Sequence, residues 1–212
     1  MGSVRDLPEP RLLPLLDEPA PERADAARNR ERLLEAADRL TAAQGLGSLT
    51  MEALAAEAGV GKGTVFRRFG SREGLMAVLL DRSEREWQAA VLSGPPPLGP
   101  GADPAARLLA LGRSRIESNL ERAELIRAAG RAGQRSYAAY SFAAMHVRYL
   151  LGELRVSGDI ALLATALMAP LEIPILEQQV GIEQMTVERV YAGWADLVRR
   201  VVADRRGDPG GH

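Results

Sequence analysis

The chain has 212 residues with 46% hydrophobic side chains, enough to bury a core and too apolar for a disordered chain. It has no cysteine and two histidines, His146 and His212, which excludes disulfides, thiolate nucleophiles and zinc–thiolate sites and leaves almost nothing for a histidine-based catalytic centre. Its 27 basic and 28 acidic residues give a net charge of −1, so any surface for a polyanion has to be local.

Residues 1–23 carry five prolines and no helical or strand period, and read as a mobile arm. From there the period is helical almost throughout, and no stretch alternates as a strand does, so the expected fold is all-α. The first helix spans Asp25 to Gln44 and ends at Gly45 and Gly47. Thr50 caps a second helix, Met51 to Ala58, which stops at Gly59. A short third helix covers Lys62 to Phe69, and Ser71 caps a fourth that runs to about Leu92.

Gly94 to Asp103 is a proline-rich loop and the clearest internal boundary. Beyond it the period predicts helices at Pro104–Asn119, Ala123–Ala132, Ser136–Leu154, Ile160–Gln179 and Val187–Asp204, with a tail at 206–212. Pro170 and Pro174 lie inside the fourth of these and should kink or break it. The longest apolar run, Ile160 to Leu171, falls short of the roughly 18 residues a membrane span needs. With no signal-like N-terminus either, the expectation is a cytoplasmic protein without a membrane partner.

The sharpest signal lies between Met51 and Phe69. Leu54, Ala58, Val60 and Val65 are spaced to close a small core, Ala55 is small where two helices approach, and Gly59 suits a tight turn: the grammar of a helix-turn-helix. Residues 60–72 hold Lys62, Arg67, Arg68 and Arg72 and no acid, a local charge of +4 in a chain of net −1. A short positive helix presented by a turn fits a DNA major groove and its flanking phosphates.

The segment from Thr50 to Leu75, above all the run GTVFRRFGSREGL from Gly63 to Leu75, resembles the TetR family of transcriptional regulators. The resemblance implies a dimeric repressor that binds a double-stranded DNA operator and is released by a small-molecule effector, with no cofactor and no catalysis. It implies a DNA-binding set of Thr50, Lys62, Gly63, Thr64, Phe66, Arg67, Arg68 and Arg72, in a domain spanning 24–69. Phe66 stands where the family usually has tyrosine and lacks its hydroxyl. Arg68 stands where histidine or tyrosine is common, Arg72 where a lysine opens the fourth helix, and Gly61 where a serine caps the recognition helix.

A connecting helix at 70–93 then leads to a ligand-binding and dimerisation domain at 94–205. Trp87, Phe142, His146, Tyr149 and Glu172 are the candidate ligand contacts, three of them one helical turn apart along a single face. The apolar stripe of the last helix, Val187, Val190, Tyr191, Trp194, Val198 and Val201, is the candidate dimer interface; the alternative is that it serves only the domain's own core. A helical small-molecule-binding or adaptor protein without operator binding is the competing function.

Overall fold

Side chains that cap helices decide where four of the elements begin. In the computed structural model, which describes residues 21–130 and 137–203, with side chains over 27–130 and 141–203, every regular element is a helix. The arm expected at 1–23 and the tail at 206–212 lie almost wholly outside these residues. The helices are α1 (Pro21–Gln44), α2 (Met51–Glu57), α3 (Lys62–Phe69), α4 (Arg72–Ser93), α5 (Pro104–Glu121), α6 (Ala123–Ala128), α7 (Tyr137–Glu153), α8 (Ile160–Met168), α9 (Ile173–Leu176) and α10 (Val187–Ala203).

Thr50 accepts a hydrogen bond from the amide of Ala53 to start α2, and Ser71 accepts from Gly74 to start α4. Asp103, followed by Pro104, accepts from Ala105 and Ala106 at the head of α5, and Asp159 accepts from Ala161 and Leu162 at the head of α8. Each satisfies amides that a helix start leaves without partners. α6 is shorter than the period predicts: it ends at Ala128, and Gly130 follows at φ 54°, a conformation that does not continue a helix.

The helix expected from Ile160 to Gln179 is broken at both prolines. A 3₁₀ turn at Ala169–Leu171 and the short α9 separate α8 from a π-helical segment at Glu177–Ile182, and the two halves are bent by 47°. Proline removes a donor and crowds the preceding turn, so the break is where the sequence puts it. No single helix among the described residues is long and apolar enough to cross a membrane.

The chain divides into two compact units between Arg68 and Phe69. In the first, α1 buries Leu33, Leu34, Ala36, Ala37 and Leu40 and packs on α2 and a 3₁₀ turn at Leu46–Ser48. The second has a core drawn from α4, α5, α7, α8, α9 and α10, including Trp87, Leu108, Leu111, Ile116, Leu150, Leu167, Trp194 and Val198.

Candidate nucleic-acid and ligand sites

The turn between α2 and α3 is closed by the backbone. Val60 donates to the carbonyl of Ala55, Thr64 donates to that of Gly61, and Gly59 takes a positive φ of 65°. Met51, Leu54, Ala55 and Val65 are buried, so the two helices are held by their inner faces. Outside stand the cations Lys62, Arg67 and Arg68 with Gly63 and the apolar ring of Phe66, all exposed, and Thr64, which is half-buried. Thr50 is also exposed, but its hydroxyl is occupied by the cap, and Arg72 is half-buried at the first position of α4.

Within this face Lys62 forms an ion pair with Glu52 of α2, and its ammonium lies 5.5 Å from the centre of the Phe66 ring. The pair draws the Glu52 carboxyl below the usual carboxylate range. Both side chains are more than half exposed, so water and salt screen the attraction. A shallow groove of about 270 Å³ between α1 and α3 is lined by Asn29, Leu33, Thr64, Arg67 and Arg68. Gly63 is a second feature of the exposed face: a Cβ there would meet nothing within 4 Å, so no contact inside the chain asks for glycine.

In the second unit, four of the five candidate ligand residues form a continuous file of rings. Trp87 meets Phe142 edge-on with centroids 6.1 Å apart, Phe142 stacks on His146 at 6.1 Å, and His146 meets Tyr149 at 5.9 Å. The file runs from Tyr149, which is 52% exposed, through His146, at 8%, to buried Trp87. Glu172 stands on a different element, half-buried at the break before α9.

Two arginines of α5 that the sequence reading did not single out flank the file. Arg115 is fully buried, lies 4.4 Å from the Trp87 ring centre, and gives Nη1 to both carboxylate oxygens of Glu84 at 2.9 Å. Trp87 in turn donates its indole N–H to Ser114 Oγ at 2.8 Å. Arg107 reaches the carbonyl of Val91 at 3.4 Å and Nε2 of His146 at 3.2 Å. A guanidinium can only donate, so Nε2 accepts and the imidazole is neutral. Burial, and then the Arg107 charge, hold the His146 pKa below its ordinary value, in agreement with that tautomer.

Of the six residues expected to meet a partner, three are buried and three, Val187, Tyr191 and Val201, are half-buried. Val190, Trp194 and Val198 are buried in the subunit's own core, and Val187, Tyr191 and Val201 pack against it. Trp194 also donates its indole N–H to the carbonyl of Leu167 at 2.8 Å. Within the subunit the stripe packs α10 on α5 and α8. The strip left outward is Arg189, Ala192, Gly193, Asp196 and Leu197. It borders a groove of about 510 Å³ whose walls include Pro170, Leu171, Gln179 and Met185, and Gln179 Oε1 is buried there without a partner.

Residues 33–79 match the family model of bacterial regulatory proteins, tetR family. No curated protein matches the chain. Among solved structures, a multidrug binding protein, EbrR, complexed with ethidium is 27% identical, with 80% of this chain and 97% of that one covered at a TM-score of 0.55. A transcriptional regulator from Rhodococcus sp. RHA1 is 17% identical (84% and 98% covered, TM-score 0.60), and a TetR-family transcriptional regulator from Streptomyces coelicolor is 22% identical (84% and 96% covered, TM-score 0.57). At those identities the last two show the shared fold.

Proposed function

From a chain with the fold and the N-terminal domain of the TetR-family transcriptional regulators, we propose a cytoplasmic, sequence-specific DNA-binding regulator. It acts as a homodimeric repressor released from its operator by a small molecule. The observation that carries the reading is the outer face of α3, where Lys62, Arg67 and Arg68 project from a helix whose inner side chain, Val65, is locked into the core. Cations on a rigid short helix supply phosphate contacts and can reach base edges.

In this reading Arg68 and Arg72 contact phosphates, while Lys62 and Arg67 reach toward bases. Gly63 lets the α3 backbone come close to the duplex, a use that fits its open surroundings. Two copies related by a two-fold axis would place their recognition helices in successive major grooves, roughly 34 Å apart. The outward strip of α10 and the groove beside it serve as the contact between copies, where a donor from the partner would meet Gln179 Oε1. The ring file of the second unit receives the effector. Release is then a population shift, which requires the effector to prefer the conformation that does not bind DNA.

Selection of fragments from random genomic DNA, followed by gel retardation at physiological salt, tests the reading. A recovered palindromic site bound by the dimer is expected. Failure to enrich any sequence would leave a helical ligand-binding or adaptor protein in its place.

A further inference from the structure

We propose that the effector is a planar aromatic compound with a carboxylate or equivalent anionic acceptor, received between the ring file and the α5 arginines. The inference rests on the reading of the second unit as a ligand-binding domain, and adds the chemical class of the ligand.

Donors without acceptors carry the argument. Among the described residues four buried side-chain atoms lack any hydrogen-bond partner, and three are guanidinium nitrogens of the same two residues: Nε of Arg107, and Nε and Nη2 of Arg115. A buried donor left unsatisfied is costly, more so when it is charged, so three of them about two turns apart on one helix mark a place where an acceptor is called for. Residues 107 and 115 are eight apart, which puts both on one face of α5 about 12 Å from each other.

Charge gives the same sign. Glu84 answers Arg115, whereas the partners of Arg107 are a carbonyl and a neutral imidazole. One positive charge is therefore uncompensated beside the rings. A cationic ligand would meet that charge head-on, and an anion would neutralise it while filling the open donors.

Shape comes from the rings. Phe142 and His146 are stacked nearly parallel, with 13° between their planes, beside the half-exposed Tyr149. A flat ring would pack alongside this file from the Tyr149 end, where Arg107 stands at His146 and Arg115 at Trp87. Aromatic faces supply affinity and the guanidinium donors supply orientation.

Calorimetry on the DNA-free protein tests this with matched probes that differ only in the polar group. One set is 2-naphthoate, 2-naphthamide and 2-naphthylmethylamine; the other is indole-3-acetate, indole-3-acetamide and tryptamine. In at least one set the carboxylate is expected to bind at least tenfold tighter than the amide and the amine. Arg107→Met should lower carboxylate affinity at least tenfold and erase the preference over the amide. Arg115→Lys, which keeps a cation for Glu84 but removes two donors, should lower it as well. Because Arg107 lies outside the buried ion pair, its variant decides the matter even if Arg115→Lys fails to fold. Amines that bind as well as carboxylates, an Arg107→Met protein with unaltered preference, or no binding in either set would overturn the proposal. No DNA enters the measurement, so operator binding can fail while this result stands, and the reverse.

Discussion

The ring of Trp194 occupies the place a side chain at Gly112 would need: a Cβ on Gly112 would lie 2.0 Å from Cη2 and Cζ3 of the indole. The glycine is thus a packing residue that lets α10 sit against α5, while Trp194 ties α10 to α8 through the Leu167 carbonyl. Gly112→Ala should destabilise the second unit by about 1–3 kcal/mol, because the indole, held by its bond to the Leu167 carbonyl, would have to shift to admit the methyl. Denaturant melts of the variant check this; an unchanged midpoint would contradict the packing.

Inward and outward positions of α10 should respond differently to charge. Val198→Glu places an unpaired carboxylate in the core and is expected to unfold the second unit. Leu197→Glu, one residue earlier and 38% exposed, should leave the helical signal intact and convert dimers to monomers. Sedimentation of both variants separates the outcomes. A folded Leu197→Glu protein that still runs as a dimer would place the contact elsewhere.

On the DNA face, Gly63→Ala is expected to pull stability and binding in opposite directions. Gly63 is the second residue of α3, where replacing glycine by alanine narrows the unfolded chain's freedom, and the open space around it leaves the methyl unopposed, so the fold should gain about 0.4–1 kcal/mol. Operator affinity should fall if the α3 backbone approaches DNA closely. Arg68→Ala, by contrast, should weaken all sequences alike and reduce the salt slope by about one.

Acid should loosen the second unit through His146. The unfolded chain takes up a proton near the ordinary value of 6.5, whereas burial and Arg107 keep the folded imidazole neutral to lower pH. Its contribution is therefore intact above that value and is lost as pH falls through the folded pKa. Denaturant midpoints at pH 7.5 and 5.5 should converge in His146→Gln relative to the unaltered protein.

Removing Glu84 leaves Arg115 as a buried charge without its carboxylate. Glu84→Ala should cost about 3–5 kcal/mol, the usual penalty for breaking one side of a buried pair. Thermal melts of Glu84→Ala alone and combined with Arg115→Met test it. The double variant should recover much of the loss, since it removes the orphaned charge.

Local rules made much of the helical layout legible: Thr50 and Ser71 cap the helices expected after them, and Pro170 and Pro174 break the helix that contains them, while the caps at Asp103 and Asp159 went unread. The α2–α3 unit was legible for the same reason, since its turn and inner face are set by residues within twenty positions of each other. What period alone does not decide is the partner of an apolar stripe. Val190, Trp194 and Val198 have the same spacing whether they face a second copy or α5, and it takes their burial, the Trp194–Gly112 fit and the bond to Leu167 to place them in the subunit's own core. The α5 arginines were missed for a related reason. Arg115 continues the buried row of Leu108, Leu111 and Gly112, and an arginine at such a position is the signal that could have exposed it. Its carboxylate lies 31 residues upstream, beyond any helical spacing.

Lys62, clasped by Glu52 and resting on Phe66, is the chain's single lysine against 26 arginines. A reagent that acylates side-chain amines therefore has one target in 212 residues, and that target is on α3. With the more acidic α-amine blocked first, a fluorophore attached there would report on α3 without an engineered attachment point, and the same chemistry would erase its charge in one step.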